Sequence, residues 1–562
     1  MNRLRTYIVT WIRQNTALAA FISYWAIVFL VYLPAAEAGR VGDFPGWVEA
    51  LTSNSFADYV NRKGSGIASM YQFTQIVSYL FYKIFGANAW QWHLLYVTLQ
   101  ATNALLLFIF FGQFFERSEV RYSMSAAFAG GMLFCLSPHI SEVVVWEPSF
   151  HYLLGLMLMM MVMVCAQRFL ETGKSKYAFL GGVVFFCSTF CLEVFYLTPL
   201  FVVMLGVYYK TVFKTVTPIV RKFFLCFTLP QSLLFLLHFL LLRIIYHQTV
   251  AHIGTIAQQP IPVMLAKSLK YIFHILFYGR FYNDALRIKI YQLCESGPVL
   301  YSFYGVFIVI IIGVLARFSK MKIRWKPLIF LLMMVVLSLG LILPLWLPDT
   351  GIVIYDRYTY VLDAFVYMLA ALLFANMFNR YIFLAAIMFL ALANYRFTHK
   401  VVAYWQQSAD VVNNLVTTFP NDPAKKVLLL NLPECFDGVQ MVGTRDDGEF
   451  RMMYNSIMPQ KITNDVYDVE AFYMRSMKDG AHVTVLNDST IKVTLNQWGT
   501  WWIYYGYGAT SYENKDFKVD MRDQGHWYNV ILKHPSSEYL LLYTVGREWK
   551  KVDLTKQNID QY

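Results

Sequence analysis

Long apolar runs separated by short polar connectors fill most of the first 400 residues. Runs of roughly 17–25 residues that are nearly free of Asp, Glu, Lys and Arg can cross about 30 Å of hydrocarbon as helices, because a helix satisfies its own backbone hydrogen bonds. The pattern predicts about eleven membrane-spanning helices. They cover residues 17–35, 92–112, 123–137, 152–167, 177–192, 195–209, 223–245, 299–316, 327–346, 358–378 and 381–397.

Two segments between predicted spans are amphipathic. In residues 70–86, apolar and aromatic positions share a broad helical face that polar residues interrupt, which is typical of a helix in the membrane interface. A twelfth, imperfect span is the alternative. Residues 266–292 mix aromatic side chains with basic ones, a combination that suits lipid headgroups. These basic residues are Lys267, Lys270, Arg280, Arg287 and Lys289.

The pattern changes after about residue 405, where short runs of alternating polarity replace the spans. "TVLNDSTIKV", residues 484–493, places a turn between two β-branched runs and predicts a hairpin. We therefore expect a membrane domain (1–400), a helical linker (401–423) and an extracytoplasmic, sandwich-like antiparallel β domain (424–562). "QWGTWWIYYGYG", residues 497–508, could stack on sugar rings or form the sandwich core.

Composition and charge support a membrane protein. The chain is 57% hydrophobic and 15% charged, with a formal net charge of +12. Its basic residues occupy every second connector between spans, so no nucleic-acid partner is predicted. By the positive-inside rule these connectors and the amino terminus are cytoplasmic. The carboxyl-terminal domain would then lie outside, and the absence of retention signals favours a bacterial inner membrane with that domain in the periplasm.

Carboxylates collect on the opposite, outer face. Asp43 follows the first span, Glu142 and Glu147 lie in "SPHISEVVVWE", Glu193 lies in "CLEVF", and "YDRYTYV" holds Asp356 and Arg357. Each has an ordinary structural explanation: Asp43 could cap a helix, Asp356 and Arg357 could pair locally, and Glu193 could form a hydrogen bond within the bundle. Together they indicate a site, because ionisable groups at a membrane boundary are costly.

The order of these segments resembles the GT-C superfamily of polytopic glycosyltransferases, within it the tetratricopeptide-tailed transmembrane O-mannosyltransferases. "WQWHLLYVTLQATNALL" keeps His93 and Asn103 of that pattern, with Gln100 at the position of a second histidine. "SPHISEVVVWE" matches a loop motif through His139 and Glu142. "DRYTYVLD" matches a later motif through Arg357 and Tyr360. The resemblance covers about residues 20–370, and the β-rich tail differs from the family.

The resemblance implies transfer of a sugar from a polyprenyl-phosphate donor to an acceptor hydroxyl of a protein, lipid or envelope glycan. Such a reaction needs a base for the acceptor proton, which we assign to Asp43. It also needs a cation for the departing phosphate, which we assign to Arg357, with Tyr360 beside it. Glu142 and His139 would orient Asp43, hold the sugar or bind a cation, and His93, Glu147 and Glu193 are further candidates.

Three alternatives stay open. Asp43, His139 and Glu142 could hold a divalent cation, although ligands scattered over loops have no diagnostic spacing. A transporter or flippase of a lipid-linked glycan would show broken spans in two similar halves. An inactive scaffold would use the β domain to position envelope proteins.

Overall fold

The computed structural model describes residues 15–60, 71–247, 260–343, 351–442, 449–495, 502–504 and 507–562. The basic residues before the first span and most of the aromatic segment 497–508 lie outside these ranges.

The described residues of the membrane part are almost entirely helical. The α-helices are α1 (Thr16–Tyr32), α2 (Phe44–Ser53), α3 (Phe56–Val60), α4 (Gln72–Phe85), α5 (Ala89–Arg117), α6 (Ser123–Cys135), α7 (Ser141–Val145), α8 (Phe150–Thr172), α9 (Ser175–Thr189), α10 (Thr198–Thr211), α11 (Thr217–Phe223), α12 (Leu229–Tyr246), α13 (Ile261–Leu276), α14 (Asp284–Glu295), α15 (Gly297–Arg317), α16 (Lys326–Ile342), α17 (Gly351–Ile354), α18 (Tyr360–Met377), α19 (Arg380–Thr417) and α20 (Glu449–Ile457).

Eight helices of the described chain are long and apolar enough to cross a membrane, and two bent pairs raise the number to ten if each pair is one span. The bends are 54° between α6 and residues 138–145, and 67° between α14 and α15. Within the residues that the structure describes, all eleven predicted runs lie mainly on helices. The run at 177–192 does not qualify as a span, because its helix, α9, has only 15 residues.

The outer surface of this bundle is apolar, as a bilayer requires. On α15, for example, Val306, Val309 and Ile312 are each at least 60% exposed. Soluble proteins rarely leave such continuous apolar surface in water. The chain is therefore a polytopic α-helical membrane protein, as its sequence predicts.

The basic connectors meet at one end of the bundle. The Arg117 guanidinium lies 4.9 Å from the ring centroid of Tyr209 and 4.8 Å from that of Phe213. Nearby, the Lys222 ammonium donates to the carbonyl oxygen of Gly173 over 2.9 Å. The carboxylates described below lie beyond the other ends of the same helices, so the two faces of the bundle differ in charge.

Helix α4 forms in the first amphipathic segment, and with 14 residues it does not pass as a twelfth span. Its polar side chains face the protein: Ser78 is buried and Gln75 is 9% exposed. Leu80 and Ile84, in contrast, are 55% and 72% exposed. An apolar outer face and a polar inner face suit a helix between lipid and a water-containing interior.

The second amphipathic segment differs from its prediction. Lys267, Lys270, Arg280 and Arg287 are all buried, although we expected them at lipid headgroups. Lys270 pairs with Glu295 over 2.5 Å, and Arg280 pairs with Asp356. Carboxylates thus neutralise Lys270 and Arg280, while Arg287 donates to the carbonyl oxygen of Arg280. A single helical pattern does not reveal such distant partners.

The carboxyl-terminal part is rich in strands. They are β1 (Lys426–Leu429), β2 (Leu432–Phe436), β3 (Val439–Gln440), β4 (Val466–Asp468), β5 (Ala471–Met474), β6 (Ala481–Asn487), β7 (Thr490–Leu495), β8 (Trp502–Tyr504), β9 (Tyr507–Gly508), β10 (Tyr512–Glu513), β11 (Phe517–Arg522), β12 (Trp527–Leu532), β13 (Tyr539–Val545), β14 (Glu548–Lys551) and β15 (Asp560–Gln561).

Within the described residues these strands form three sheets, in the orders β14-β13-β1-β4, β10-β11-β12-β7-β6-β15 and β3-β2-β5-β8-β9. The six-stranded sheet is antiparallel throughout and contains the predicted hairpin as β6 and β7. The other two sheets also have parallel pairs, β1 with β13 and β4, and β2 with β5. Strand alternation alone did not distinguish these pairings.

The strand-rich region packs against the membrane part. Helix α19 continues without interruption for 38 residues, about 57 Å at 1.5 Å per residue, across the predicted linker boundary. At its far end, the Trp549 indole N–H donates to the carbonyl oxygen of Leu415 over 2.7 Å. The backbone N–H of Gly42 donates to the carbonyl oxygen of Met441. The β region therefore contacts the loop that carries Asp43.

Candidate functional site

Asp43 stands at the turn that starts α2. Gly42, just before it, has a φ of +59°, a conformation that glycine adopts without strain. Asp43 occupies the cap position of α2, but its side chain makes no capping hydrogen bond. The Asp43 carboxylate therefore does not cap the amino terminus of α2, contrary to the capping alternative.

Two effects of the surrounding protein act on the Asp43 carboxyl. The residue is exposed to solvent, yet surrounding protein raises the pKa of its carboxyl above the usual value. The positive charge of Arg357 opposes this and lowers the pKa.

Glu142 holds Arg357 in two ways. Its Oε2 atom accepts a hydrogen bond from the backbone N–H of Arg357 over 2.9 Å, and its Oε1 atom accepts one from the guanidinium. The Glu142 side chain is 5% exposed and that of Arg357 is 16% exposed. One carboxylate thereby fixes both the backbone and the side chain of Arg357, and leaves the guanidinium partly accessible.

Aromatic rings surround this guanidinium. Its central carbon lies 4.7 Å from the ring centroid of Tyr355 and 5.1 Å from those of Tyr358 and Trp146. The Trp146 indole N–H donates to the carbonyl oxygen of Val41 over 2.9 Å. Trp146 thus connects the surroundings of the Arg357 guanidinium to the loop that carries Asp43.

Glu193 and Arg357 act in opposite directions on the hydroxyl of Tyr71. Burial and, after it, the Glu193 carboxylate raise the pKa of Tyr71, whereas the positive charge of Arg357 lowers it. Glu147 lies beside the Asp43 loop, with an oxygen 3.9 Å from Nε of Arg40. Of these predicted site residues, Glu142 and Arg357 are in direct contact, and Glu147 lies near the loop that carries Asp43.

His139 belongs to a second, adjacent cluster. Its Nδ1 atom is 3.6 Å from Oδ1 of Asp356, and Nε2 of His274 is 2.7 Å from the same oxygen. The Arg280 guanidinium contacts the other oxygen, Oδ2. Burial, and secondarily His139, lower the pKa of His274 to about 4, so this imidazole is neutral at pH 7. Asp356 and Arg357 pair with these distant residues instead of with each other.

His274 and Arg280 could not be assigned to this cluster from the sequence, because the composition of their segment is typical of the membrane surface. Arg280 also donates to the carbonyl oxygen of Asp437 in the β region over 2.8 Å. Asp356, which had been given no functional role, was the one residue that could have indicated this cluster, since a buried carboxylate needs a cation.

Tyr360 and His93 lie elsewhere. The hydroxyl of Tyr360 donates to Oε1 of Gln100 and accepts from Nδ2 of Asn103 over 3.0 Å. The motif residues Gln100 and Asn103 thus converge on Tyr360 inside the bundle. His93 is buried at the start of α5 beside the ring of Trp90, and its Nε2 atom has no partner among the described residues.

Replacing Asp356 with Asn is expected to lower the free energy of unfolding by about 3–5 kcal/mol, because it leaves a buried guanidinium without its counter-charge. The Arg280 side chain is only 3% exposed. Denaturant unfolding in micelles measures the change. The matched control is Glu548→Gln, which removes an exposed pair with Lys550 and should cost no more than about 1 kcal/mol. Equal losses in both variants would contradict the interpretation.

The described side chains thus define the class of the protein: a polytopic membrane protein with a strand-rich carboxyl-terminal region. Beyond its membrane helices lie the partly accessible guanidinium of Arg357, with aromatic rings around it, and the exposed Asp43 on a neighbouring loop. These groups can bind an anion and accept a proton.

Comparisons with known proteins find matches among solved structures. No family model matches the chain, and no curated protein matches it. Among solved structures, the crystal structure of ArnT from Cupriavidus metallidurans bound to undecaprenyl phosphate is similar, with 16% identity over 79% of this chain and 89% of that chain and a TM-score of 0.33. A likeness of this size assigns neither a fold family nor an activity. The resemblance to O-mannosyltransferases rests on the short motifs alone.

Proposed function

We propose that this protein is a glycosyltransferase that moves a sugar from a polyprenyl-phosphate donor to an acceptor hydroxyl at the extracytoplasmic face of a bacterial inner membrane. The observation that carries the proposal is that Trp146 contacts both the Arg357 guanidinium and the loop that carries Asp43. The motif resemblance gives the same reaction class. The strand-rich region, which contacts the Asp43 loop, would then lie in the periplasm.

The donor phosphate would bind Arg357. A guanidinium presents N–H groups in a planar fork that matches phosphate oxygens, and it stabilises the charge that develops as the phosphate leaves. Glu142 orients this fork but leaves it partly accessible. Glu142 therefore acts as a positioning residue rather than as the base.

The acceptor hydroxyl would lose its proton to Asp43. The acceptor oxygen bonds to the anomeric carbon, the bond from that carbon to the phosphate oxygen breaks, and the proton passes to the carboxylate while polyprenyl phosphate departs. A general base contributes about 10²–10⁴-fold to the rate of such a step. The raised pKa makes Asp43 a stronger base than an ordinary aspartate.

The donor chain would enter from the bilayer beside α4. The exposed Leu80 and Ile84 of this helix suit acyl chains, while its buried Ser78 and Gln75 face inward. Tyr71 adjoins α4 and lies near both Arg357 and Glu193. A lipid on the outside of α4 is therefore close to these polar groups.

The test is sugar transfer in proteoliposomes. The purified chain is given undecaprenyl phosphate carrying a hexose, a pentose or an amino sugar, together with bacterial envelope extract as acceptor. We expect release of free undecaprenyl phosphate and labelled sugar in the extract. The control variant Glu49→Gln, on an exposed position of α2, should retain full activity. Intact donor with every sugar, in protein that is folded by its melting curve, would refute the enzyme.

The activity should fall as the pH drops through the pKa of Asp43, because the base must be deprotonated. Burial raises this pKa above the usual 3.8, so the acid limb should lie at a higher pH than for an ordinary aspartate. The pH profile of kcat/KM measures it, with the melting temperature followed over the same range. An acid limb at or below the ordinary position would contradict the role of Asp43.

Transport of a lipid-linked glycan is the second candidate. The two bent helix pairs favour it, because transporters often bind substrate at interrupted helices. A transporter would move the donor across the proteoliposome membrane without cleaving it. The same assay separates the two functions, since only the enzyme releases free undecaprenyl phosphate.

A further inference from the structure

We infer that His139, His274 and Asp356 form a binding site for a divalent transition-metal ion of the Zn²⁺ type. Their ligand atoms all lie within 4.8 Å of one another, and all three residues are buried. The proposed transfer reaction does not require this site, and it differs from the cation set of Asp43, His139 and Glu142 considered in the sequence analysis.

The donor set suits zinc. Two imidazoles and one carboxylate, with a water as the fourth ligand, are a common tetrahedral arrangement, in which neighbouring ligand atoms are about 3.4 Å apart. Oδ1 of Asp356 is 2.7 Å from Nε2 of His274 and 3.6 Å from Nδ1 of His139. Small rotations of the side chains would bring these distances to the tetrahedral value.

Unsatisfied ring nitrogens give a second, independent observation. Both nitrogens of the His139 ring and Nδ1 of His274 are buried without a hydrogen-bond partner among the described residues. Buried polar atoms normally have a partner, so an orphaned imidazole aimed at a carboxylate indicates a missing ligand. A bound ion would satisfy Nδ1 of His139, and its water could satisfy further groups.

Arg280 does not occupy the proposed position. It contacts Oδ2 of Asp356, whereas both histidines approach Oδ1. Metal-binding carboxylates are commonly held by a second group on their other oxygen, which fixes their orientation. Arg280 therefore serves as a support for the ligand, and Oδ1 remains for the ion.

The ion would join three separate segments. His139 lies on the turn Pro138–Ile140, His274 on α13, and Asp356 on the turn Asp356–Thr359, directly before Arg357. A metal at this point would fix the backbone that carries the Arg357 guanidinium. Chelation should therefore lower the melting temperature of the protein as purified.

Metal analysis of the untagged protein tests the site. After incubation with Zn²⁺ and removal of free ion, the wild type should retain one Zn²⁺ per chain by mass spectrometry of the metal. His274→Ala should lose it. His238→Ala, which removes another buried histidine bonded to Tyr196, should retain it, and so should Asp43→Asn.

Co²⁺ binding to the wild type gives a test that does not depend on whether the variants fold. Tetrahedral imidazole and carboxylate ligands should give intense visible bands that Zn²⁺ abolishes. Wild-type protein that retains no Zn²⁺ and shows no such bands would overturn the proposal. Retention by folded His274→Ala at the wild-type level would overturn it as well, whether or not sugar transfer is observed.

Discussion

Asp43→Asn is expected to reduce sugar transfer by about 10²–10⁴-fold, because asparagine keeps the shape of the side chain but cannot accept the acceptor proton. The variant should remain folded. A raised pKa means that the folded state disfavours ionised Asp43, so the stabilising contribution of this group is present at low pH and lost as the pH rises through that pKa. A neutral side chain should therefore leave the melting temperature at pH 7 unchanged or slightly higher.

This combination separates chemistry from structure. Activity and melting temperature are measured on the same proteoliposome preparation, with Glu49→Gln as the matched acidic replacement on α2. A loss of activity that parallels a loss of folded protein would show a structural role for Asp43. Full activity of the folded Asp43→Asn variant would rule out Asp43 as the general base.

Arg357→Lys is expected to lower transfer by about 10²–10³-fold, although the positive charge is kept, because an ammonium lacks the fork that binds two phosphate oxygens. Lysine would also lose the bond from the guanidinium to Glu142 and the contact with three aromatic rings. The kinetic constants for the lipid donor measure the effect. We expect kcat to fall more than KM rises, since the charge on phosphate is greatest in the transition state.

Arg117→Lys is the matched control, because Arg117 lies over aromatic rings at the opposite end of the bundle. It should change transfer little. Glu142→Gln should lower activity, and combining it with Arg357→Lys should add little further loss, since the two residues act as one unit. Additive losses would show that Glu142 acts independently of Arg357.

Much of the membrane architecture could be predicted from the chain. Apolar runs are long enough to determine helices by themselves, and the charge asymmetry of the connectors distinguishes the two faces. The short α9 and the bent α6 show the limit, because hydropathy does not report where a helix ends within an apolar run. The parallel pairing of β1 with β13 depends on residues more than a hundred positions apart.

The candidate site was predicted in part. Asp43, Glu142 and Arg357 stood out as costly charges at a membrane boundary. Glu142 and Arg357 form a pair, and Trp146 links that pair to the loop that carries Asp43. The ion pairs of these residues could not be derived from the sequence. Arg357 pairs with Glu142 and Asp356 pairs with Arg280 because the fold brings distant segments together. His139 was expected beside Asp43, but the fold directs it to His274, a residue in a segment that its composition assigned to the lipid surface.

The most direct test is a cryo-electron microscopy structure of the protein in nanodiscs with undecaprenyl phosphate. We predict phosphate density within about 4 Å of the Arg357 guanidinium, the distance of an ion pair. The Asp43 carboxylate should face the same cavity, and the prenyl chain should leave toward the bilayer. A phosphate bound at another position, with Asp43 and Arg357 facing separate cavities, would contradict the account.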